Sequence, residues 1–423
     1  MADVRQRETA VGNDVARLTS LDGLRGVAAV VVVLCHSLLI VPPMAASIVG
    51  GAEPAVGTAE WFLLRTPLRA LTMGAEAVMI FFVLSGFVLT LGFIGRRMTP
   101  RFVGAYLGRR VLRLYIPVWA AIGLAVALAL AVPRDPTAAS AWLSAHLDPT
   151  TATVAKDALL LLGTSNLNSP LWSLTWEVWF SLLLPVIWWL FCVLAVHRWW
   201  PVAIVLCVVV SAVSEFPVVH DVLPVPFVTT GLLQYLPVFC LGMIFALKHE
   251  QARALYARLG PTARVLAWVV ALTLLVGTSM LEPFTESPPL IRGGNWVLSL
   301  LGAYGLVVLA TVAPGAQKHL SSKPVMFFGT RSFSLYLVHE PIIIASALLL
   351  GAATWWPWVG VLPIVLLVIV AVTMVFYRWV ERPSIAVSRA AGRFLSRPAA
   401  SVKATRWSRA LSSQSRSTNR GAD

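Results

Sequence analysis

The sequence predicts an all-α, polytopic membrane protein with about ten transmembrane helices and both termini in the cytoplasm. Hydrophobic residues make up 58% of the 423 residues and charged residues only 12%, which is too little charge to cover a water-soluble protein of this length. Apolar runs of spanning length recur along the chain, and basic residues are concentrated in alternate connections between them. The net charge of +14 therefore indicates membrane topology rather than binding of nucleic acid.

Ten apolar runs are candidate spans, since a spanning helix needs about 20 mostly apolar residues. They are Leu24–Val41, Leu71–Ile94, Val111–Val132, Trp172–Val196, Val202–Ser214, Leu232–Leu247, Val265–Met280, Trp296–Val312, Phe333–Gly351 and Val359–Tyr377. The fifth and sixth runs are short. Residues 155–162, before the fourth run, are a candidate half-span or re-entrant segment.

The distribution of lysine and arginine predicts the orientation. If both termini are cytoplasmic, 28 of the 33 basic residues lie in the termini and cytoplasmic loops. The remaining five, in the outside loops, are Arg65, Arg69, Arg134, Lys156 and Arg292. Because basic residues are retained on the cytoplasmic side, this split favours an even number of spans.

The chain divides into three predicted segments. Residues 1–18 form a cytoplasmic N-terminal segment, residues 19–383 the transmembrane domain, and residues 384–423 a basic tail rich in Ser, Arg and Ala. The tail lacks apolar periodicity and is predicted to be disordered, resting on anionic headgroups. A cleaved signal peptide is a weaker interpretation of the first apolar run, because acids precede it and a histidine interrupts it.

The cysteines give no sign of a disulfide framework or a metal site. All four lie within apolar runs, without CxxC or zinc-type spacing; they are Cys35, Cys192, Cys207 and Cys240. We expect them to act as small buried apolar side chains.

The first apolar run carries two ionisable residues, Arg25 and His36, eleven positions apart. Eleven residues make almost three helical turns, so both side chains share one face, about 16 Å apart along the axis. Arg25 is predicted at the cytoplasmic headgroups and His36 roughly at mid-bilayer. An ionisable group at that depth is a candidate functional residue; the alternative is a histidine that only hydrogen-bonds a neighbouring helix.

A second polar pair lies in the segment SPLWSLTWEVWFSLLLP, residues 169–185. Ser173 and Glu177 are four positions apart and share a helix face. A carboxylate within a span is costly unless it is paired or faces water. Glu177 is predicted to orient His36, to accept its proton or to pair with an arginine, and a purely structural salt bridge is an equal alternative.

An arginine cluster follows the second apolar run. Its members are Arg96, Arg97, Arg101, Arg109, Arg110 and Arg113. Guanidinium groups bind phosphates because their donors match two oxygens at a time. A topology signal alone explains some of these arginines, but it is a weaker explanation for Arg110 and Arg113, which are three apart at the start of a span.

The ninth apolar run contains a second histidine in the segment RSFSLYLVHEPIII, residues 331–344. Tyr336 and His339 are three positions apart on one helix face, and Glu340 follows directly. An intramembrane histidine with a neighbouring acid predicts a polar cavity inside the bundle. The segment WVERP at residues 379–383 ends the last span and is expected to cap and anchor it.

Taken together, these motifs resemble acyltransferase family 3, the integral-membrane O-acyltransferases of bacteria and some eukaryotes. The resemblance extends from about residue 19 to residue 383. It is carried, in order, by LDGLRG with the spacing of Arg25 and His36, FFVLSGF, RRVLRLYIP, LWSLTWEVWF, SLYLVHEPI and ERP.

The resemblance implies transfer of an acyl group, commonly acetyl, from acyl-CoA to a hydroxyl of a carbohydrate or glycosylated metabolite, in the bacterial cytoplasmic membrane and without a bound cofactor. It implies that His36 is the catalytic histidine and Arg25 its required partner. It also places functional arginines among the residues Arg96, Arg97, Arg109, Arg110 and Arg113. Glu177 departs from the family pattern, because Val178 follows where many members carry a second acid.

The predicted mechanism has acyl-CoA binding through its phosphates to the loop between the second and third spans. His36 then acts as a general base or forms an acyl-histidine intermediate, and Ser173, Tyr336 and His339 contact substrate. The competing hypothesis is a proton-coupled transporter or flippase of a lipid-linked sugar or metabolite, which the lack of repeated halves disfavours. The sequence specifies neither the acceptor nor the oligomeric state.

Overall fold

The computed structural model describes residues 2–396 except 139, 217, 220–225, 282–287 and 352–353. Within these residues the secondary structure is helical and contains no β-strand. Eight helices are long and apolar enough to cross a membrane, and the two shorter apolar helices are Trp200–Val213 and Pro261–Gly277. These ten helices correspond to the ten predicted runs and confirm the all-α, polytopic class.

The helices are numbered in chain order. The first half of the chain contains α1 (Ala2–Leu38), α2 (Pro42–Ile48), α3 (Ala59–Arg65), α4 (Gly74–Leu91), α5 (Pro100–Ala131), α6 (Ala141–Ser144), α7 (Thr151–Leu159), α8 (Leu171–Val193) and α9 (Trp200–Val213). The second half contains α10 (Pro226–Arg258), α11 (Pro261–Leu272), α12 (Thr278–Leu281), α13 (Pro289–Val312), α14 (Pro314–Leu320), α15 (Lys323–Gly329), α16 (Ser332–Leu350), α17 (Trp355–Phe376) and α18 (Arg382–Ser396). Two 3₁₀ segments cover Pro67–Leu71 and Val196–Arg198, and two π-helical segments cover Thr273–Gly277 and Tyr377–Glu381.

The two ends of the bundle differ in their connections. The end that holds Arg25 and residues 92–99 is called the basic end, and it is the predicted cytoplasmic end. The end that holds residues 132–170 is called the loop end; there the short helices α6 and α7 lie between α5 and α8. Residues 155–162 belong to this connection, so the segment read as a possible half-span forms part of α7 and the turn after it.

The last span continues into a helix that the sequence analysis assigned to the tail. The π-helical segment Tyr377–Glu381 joins α17 to α18, so residues 384–396 are helical, and residues 397–423 lie outside the described part of the chain. The buried face of α18 consists of Ser384, Ser388 and Gly392, spaced four apart. This face packs on α5, where Gly392 lies against the side chain of Arg109 and Leu395 reaches Gly108.

Small residues also set the closest helix contacts in the core. On α4, Gly86 lies against the backbone of Phe239, and on α10, Gly242 lies against the backbone of Val83. A side chain at either glycine would separate the two backbones. This contact explains the glycine of the motif FFVLSGF, and it aligns α4 with α10 beside the polar site.

Helix α1 is held against α14 and α15 at the basic end. A Cβ at Gly26 would lie 2.5 Å from the backbone nitrogen of Gly329, so only glycine permits this approach. The hydroxyl oxygens of Thr19 and Ser321 are 2.9 Å apart and add a hydrogen bond to the same contact. These contacts fix the rotation of α1 and therefore the direction of Arg25 and His36.

Two prolines inside spans free backbone carbonyls, and side chains of the site satisfy both. Pro341 cannot donate to the carbonyl four residues earlier, and Nδ2 of Asn168 donates to that carbonyl, of Leu337, at 3.0 Å. Pro185 frees the carbonyl of Ser181 in the same way, and the hydroxyl of Tyr106 donates to it at 3.1 Å. The prolines thus attach neighbouring elements to α16 and α8 next to the polar residues.

Candidate functional site

His36 lies in the last turn of α1, at the loop end of the bundle. The sequence placed it at mid-bilayer; in the structure it lies near the end of the apolar span Thr19–Leu38 and is covered by the loop that contains α6. The hydroxyl of Ser140 donates to the carbonyl of Leu39 at 2.6 Å, and the ring of Trp142 is 5.7 Å from the ring of His36. The loop encloses the histidine and leaves 16% of its side chain exposed.

His339 fixes the protonation pattern of His36. Nδ1 of His339 is 3.0 Å from the carbonyl oxygen of Leu335, and Nε2 of His339 is 3.0 Å from Nδ1 of His36. A carbonyl only accepts, so Nδ1 of His339 carries a proton and, in the neutral ring, Nε2 accepts. His36 therefore donates from Nδ1, which leaves its Nε2 unprotonated and able to act as a base.

Glu340 is the carboxylate next to His36. Its Oε2 is 3.7 Å from Nδ1 of His36, and the side chain is fully buried. Oε1 contacts Nε2 of His146 at 2.6 Å and accepts from the backbone nitrogen of Ser169 at 3.2 Å. The hydroxyl of Ser169 donates to Oε2 at 3.0 Å. Both carboxylate oxygens are thereby held by the connection at the loop end.

Two further charged groups of that connection face Glu340. Burial lowers the pKa of the Arg134 guanidinium, and the nearby charges of Glu340 and Asp148 oppose this effect. Burial raises the pKa of Asp157, and its hydrogen bonds from Ser165 oppose the shift. The loop-end connection that covers His36 therefore turns charged side chains inward, towards Glu340.

A cavity of about 320 Å³ lies between the basic end and this cluster. Its lining combines guanidinium, carboxylate and hydroxyl groups with apolar side chains. The lining residues are Asp22, Arg25, Phe81, Phe82, Ser85, Val88, Leu89, Arg110, Arg113, Leu114, Ser173, Leu174, Glu177, Gly329, Thr330, Ser332, Phe333, Tyr336, Tyr377, Glu381 and Ile385.

Three arginines line the cavity. Nη1 of Arg25 donates to Oδ1 of Asp22 at 3.2 Å, while Arg113 faces both Arg25 and Arg110. Arg110 is neutralised by an ion pair with Glu177. Within the described residues no carboxylate lies within salt-bridge distance of Arg113, so Arg113 is the cation best able to bind an anionic ligand there. Arg25 is the second candidate, because its partner Asp22 is itself exposed to solvent.

The Arg110–Glu177 pair is part of a hydrogen-bonded group on α4, α5 and α8. Nε of Arg110 donates to the hydroxyl of Ser181 at 2.8 Å, and the hydroxyl of Ser85 donates to Oε1 of Glu177 at 3.0 Å. The hydroxyl of Ser181 donates in turn to the carbonyl of Glu177 at 2.6 Å. These polar side chains hydrogen-bond one another and together form one wall of the cavity.

Ser173 and Tyr336 form the inner end of the cavity. Their hydroxyl oxygens are 2.8 Å apart, and each is 3.1 Å from the carbonyl oxygen of Pro170. Two hydroxyl protons serve these three contacts, so one hydroxyl can turn to an incoming group without leaving the carbonyl unpaired. The ring of Tyr336 is 5.9 Å from that of His339, which puts the end of the cavity next to the histidine pair.

The structure brings together some predicted residues and separates others. Of the roles predicted for Glu177, the structure shows the pair with an arginine, Arg110, and not a contact with His36; the carboxylate beside His36 is Glu340. Arg25 lies about three turns of α1 away from His36 and pairs with Asp22, since eleven residues span about 16 Å.

The remaining predicted residues also divide between cavity and surface. Arg110, Arg113, Ser173 and Tyr336 line the cavity, whereas His339 contacts His36 and is buried. Arg96 and Arg97 are exposed in the connection after α4 and are not among the residues that line the cavity. The side chain of Arg109 packs under Gly392 of α18.

Sequence reasoning missed the residues that hold Glu340. His146 and Ser169 lie in a connection of ordinary composition, and their contact with Glu340 joins positions 194 and 171 residues apart. Its position in the sequence did mark Glu340 as a candidate, because an acid next to an intramembrane histidine needs a partner. The available partner was His146, the histidine of the connection between the third and fourth spans.

Fold and site together define a multi-pass membrane protein with a basic cavity that leads to a buried histidine cluster. The profile of the acyltransferase domain family, acyltransferase family 3, matches residues 18–378. The chain therefore belongs to this family of membrane acyltransferases.

Two curated bacterial proteins are similar to parts of the chain. The peptidoglycan O-acetyltransferase OatA of Listeria monocytogenes serovar 1/2a is 31% identical over 96 residues, which is 23% of this chain and 15% of OatA. The "Putative peptidoglycan O-acetyltransferase YrhL" of Bacillus subtilis is 27% identical over 150 residues, which is 34% of this chain and 22% of YrhL. The matched segments thus span less than a quarter of either relative. No solved structure matches the chain.

Proposed function

We propose that this membrane acyltransferase moves an acetyl group from acetyl-CoA to a hydroxyl of a carbohydrate or glycosylated metabolite, with His36 as the general base. The observation that carries the proposal is the cavity, which joins arginines at the basic end to the Ser173–Tyr336 pair beside the histidines. Both curated relatives carry the name peptidoglycan O-acetyltransferase, and this makes peptidoglycan-type sugars the first acceptors to test.

The donor binds with its phosphates at the basic end. Arg25 and Arg113 provide guanidinium forks for phosphate oxygens, and the ion-paired Arg110 and Glu177 form the wall beside them. The thioester then lies near the inner end of the cavity, where a hydroxyl of Ser173 or Tyr336 donates to its carbonyl oxygen as negative charge develops. This direction of entry requires the basic end to be cytoplasmic, as the distribution of basic residues predicts.

His36 activates the acceptor through Nε2. The acceptor hydroxyl gives its proton to Nε2, and its oxygen bonds to the thioester carbon. The C–S bond then breaks, and the CoA thiolate takes the proton back from Nε2, so the products are an ester and free CoA. In the alternative order of steps, Nε2 of His36 first attacks the thioester, releasing CoA, and then passes the acyl group to the acceptor. Both routes need Nε2 to be unprotonated.

The protein is proposed to act in the bacterial cytoplasmic membrane, where lipids surround its spans and acetyl-CoA is available on one side. The test uses the purified full chain in proteoliposomes with acetyl-CoA, soluble peptidoglycan fragments and, separately, a glycosylated macrolide. Free thiol and acetyl ester on the acceptor are both measured, and we expect them to rise in equal amounts. Uptake of the fragments driven by a proton gradient, with no thiol release from acetyl-CoA, would instead support a transporter.

A further inference from the structure

His146 and Glu340 form a buried polar pair that touches His36 from the loop end. His146 is 2% exposed and Glu340 is fully buried, and neither lines the cavity. The pair joins the connection after α6 to the middle of α16 through the 2.6 Å contact between Nε2 and Oε1. Burying a polar pair costs desolvation free energy. A role for the pair at His36 would explain why the protein buries it.

The hydrogen bonds define the protonation of this pair. Nδ1 of His146 is 2.6 Å from the carbonyl oxygen of Trp142, which only accepts, so Nδ1 carries a proton. Glu340 receives two further donors, the backbone N–H and the hydroxyl of Ser169. Because donors surround both oxygens of Glu340, its side chain is an ionised carboxylate. A carboxylate oxygen only accepts, so the 2.6 Å contact between Oε1 and Nε2 of His146 requires a proton on Nε2 as well. The pair is therefore an imidazolium–carboxylate ion pair.

We propose that His146 is a positioning residue, which holds Oε2 of Glu340 beside Nδ1 of His36 so that the carboxylate stabilises the imidazolium formed when His36 takes the acceptor proton. This inference rests on the proposed function. Glu340 gains and loses no proton in the reaction: the proton moves from the acceptor oxygen to Nε2 of His36 and then to the CoA thiolate. The 3.7 Å separation of Oε2 and Nδ1 places the negative charge on the side of the ring opposite the reacting nitrogen.

The other charged groups around Glu340 show why it needs to be held. The groups that face it are His36 from α1, His339 and Tyr336 from its own helix, and Arg134, Asp157 and His146 from the loop end. Arg134 is a second cation that competes with His36 for the carboxylate. Without His146, Oε1 keeps only the backbone N–H of Ser169 as a donor among the described residues, and the carboxylate is held less firmly beside His36.

Nitrogen-15 NMR of the histidine-labelled protein tests the ion pair without any substrate. The chain has seven histidines, and His146→Gln assigns the signal of interest. At neutral pH we expect both nitrogens of His146 to be protonated, and Glu340→Gln to return the ring to a neutral tautomer. A neutral His146 in the wild-type protein, or an identical spectrum in Glu340→Gln, would overturn the inference.

Kinetics with acetyl-CoA and peptidoglycan fragments test the link to His36. In His146→Ala we expect kcat to fall about 10- to 100-fold, the range of one charge-assisted contact, with KM for acetyl-CoA unchanged. His146→Gln keeps an N–H donor for Glu340 and should retain most of kcat. The control Leu147→Ala alters an exposed neighbour and should behave as wild type.

The two tests separate this inference from the proposed function. An unchanged kcat in His146→Ala, or equal losses in the Ala and Gln variants, would exclude the positioning role. A wild-type protein that shows the ion pair by NMR but transfers no acetyl group would overturn the proposed function, and with it the link from the pair to catalysis. A neutral His146 in an active enzyme would remove this inference alone.

Discussion

Nε2 of His339 lies 3.0 Å from Nδ1 of His36, so a residue of α16 determines which nitrogen of a residue of α1 is basic. The two positions are 303 residues apart in the chain, and each ring is already held by its own helix. The contact orients the two rings, whose planes are 23° apart. It leaves one nitrogen of His36, Nε2, for chemistry.

Without His339, the ring of His36 should no longer be held in one tautomer. In His339→Ala, Nδ1 of His36 has no neutral acceptor, so part of the population should carry the proton on Nε2. We expect kcat to fall about tenfold or more, the value of one hydrogen bond to a charged group, and the nitrogen-15 spectrum of His36 to show both tautomers. His319→Ala, in an exposed part of α14, is the matched control. A single unchanged tautomer in His339→Ala would contradict the argument.

Breaking the Arg110–Glu177 pair should destabilise the bundle. Arg110→Ala leaves the carboxylate of Glu177 with only the hydroxyl of Ser85 as a side-chain donor among the described residues, and removal of one partner of a buried pair costs about 3 kcal/mol or more. The double variant Arg110→Met with Glu177→Gln removes both charges and should recover most of that loss. The measurement is the apparent Tm in detergent for wild type, Arg110→Ala and the double variant. Equal Tm values for Arg110→Ala and wild type would show that the pair is solvated.

Arg113 should matter for donor binding and Arg96 should not. Because Arg113 lines the cavity without a salt-bridged carboxylate, Arg113→Ala is expected to raise KM for acetyl-CoA about tenfold, with a smaller effect on kcat. The matched control is Arg96→Ala, which removes the same charge from an exposed loop. Initial rates at varied acetyl-CoA check the prediction. Equal effects of the two substitutions would mean that the arginines act only through net charge.

Gly26 should tolerate no side chain. A Cβ there meets the backbone of Gly329 at 2.5 Å, so Gly26→Ala must push α1 away from α15, at a cost of about 1–3 kcal/mol. The same change at Gly123 on α5 meets no atom within 4 Å and should leave stability unchanged. Apparent Tm and transferase rate are measured for both. An unaffected rate in Gly26→Ala would show that the position of α1 at the basic end does not control the site.

The spans followed from the sequence because length and apolar content alone define a membrane helix. The sequence predicted helix ends less accurately. Helix α10 runs from Pro226 to Arg258 and extends beyond the apolar run 232–247, because a helix can continue into polar residues after the hydropathy signal stops. Helix α18 was missed for a different reason. Its buried residues Ser384, Ser388 and Gly392 are small, and the many serines and arginines of the segment are typical of a disordered tail.

Local spacing singled out several residues that the structure places at the candidate site. His36 and His339 each stood out as ionisable residues within an apolar run, and Ser173, Tyr336, Arg110 and Arg113 share helix faces that line the cavity. Partnerships between distant segments had no such signal. Glu177 had three candidate roles, two of them at His36, and it takes the third by pairing with Arg110. The carboxylate beside His36 is Glu340, held by a loop histidine. Only the packing of α16 against the loop end decides between these two acids.

The most direct test of the central claim compares wild type with His36→Gln in one preparation of proteoliposomes. Acetyl-CoA binding and acetyl transfer to peptidoglycan fragments are measured side by side, because His36 lies beyond the cavity that binds the donor. The account predicts unchanged acetyl-CoA affinity and a transfer rate reduced about 100- to 10,000-fold, the range of a lost general base. Transfer at the wild-type rate in His36→Gln would contradict it.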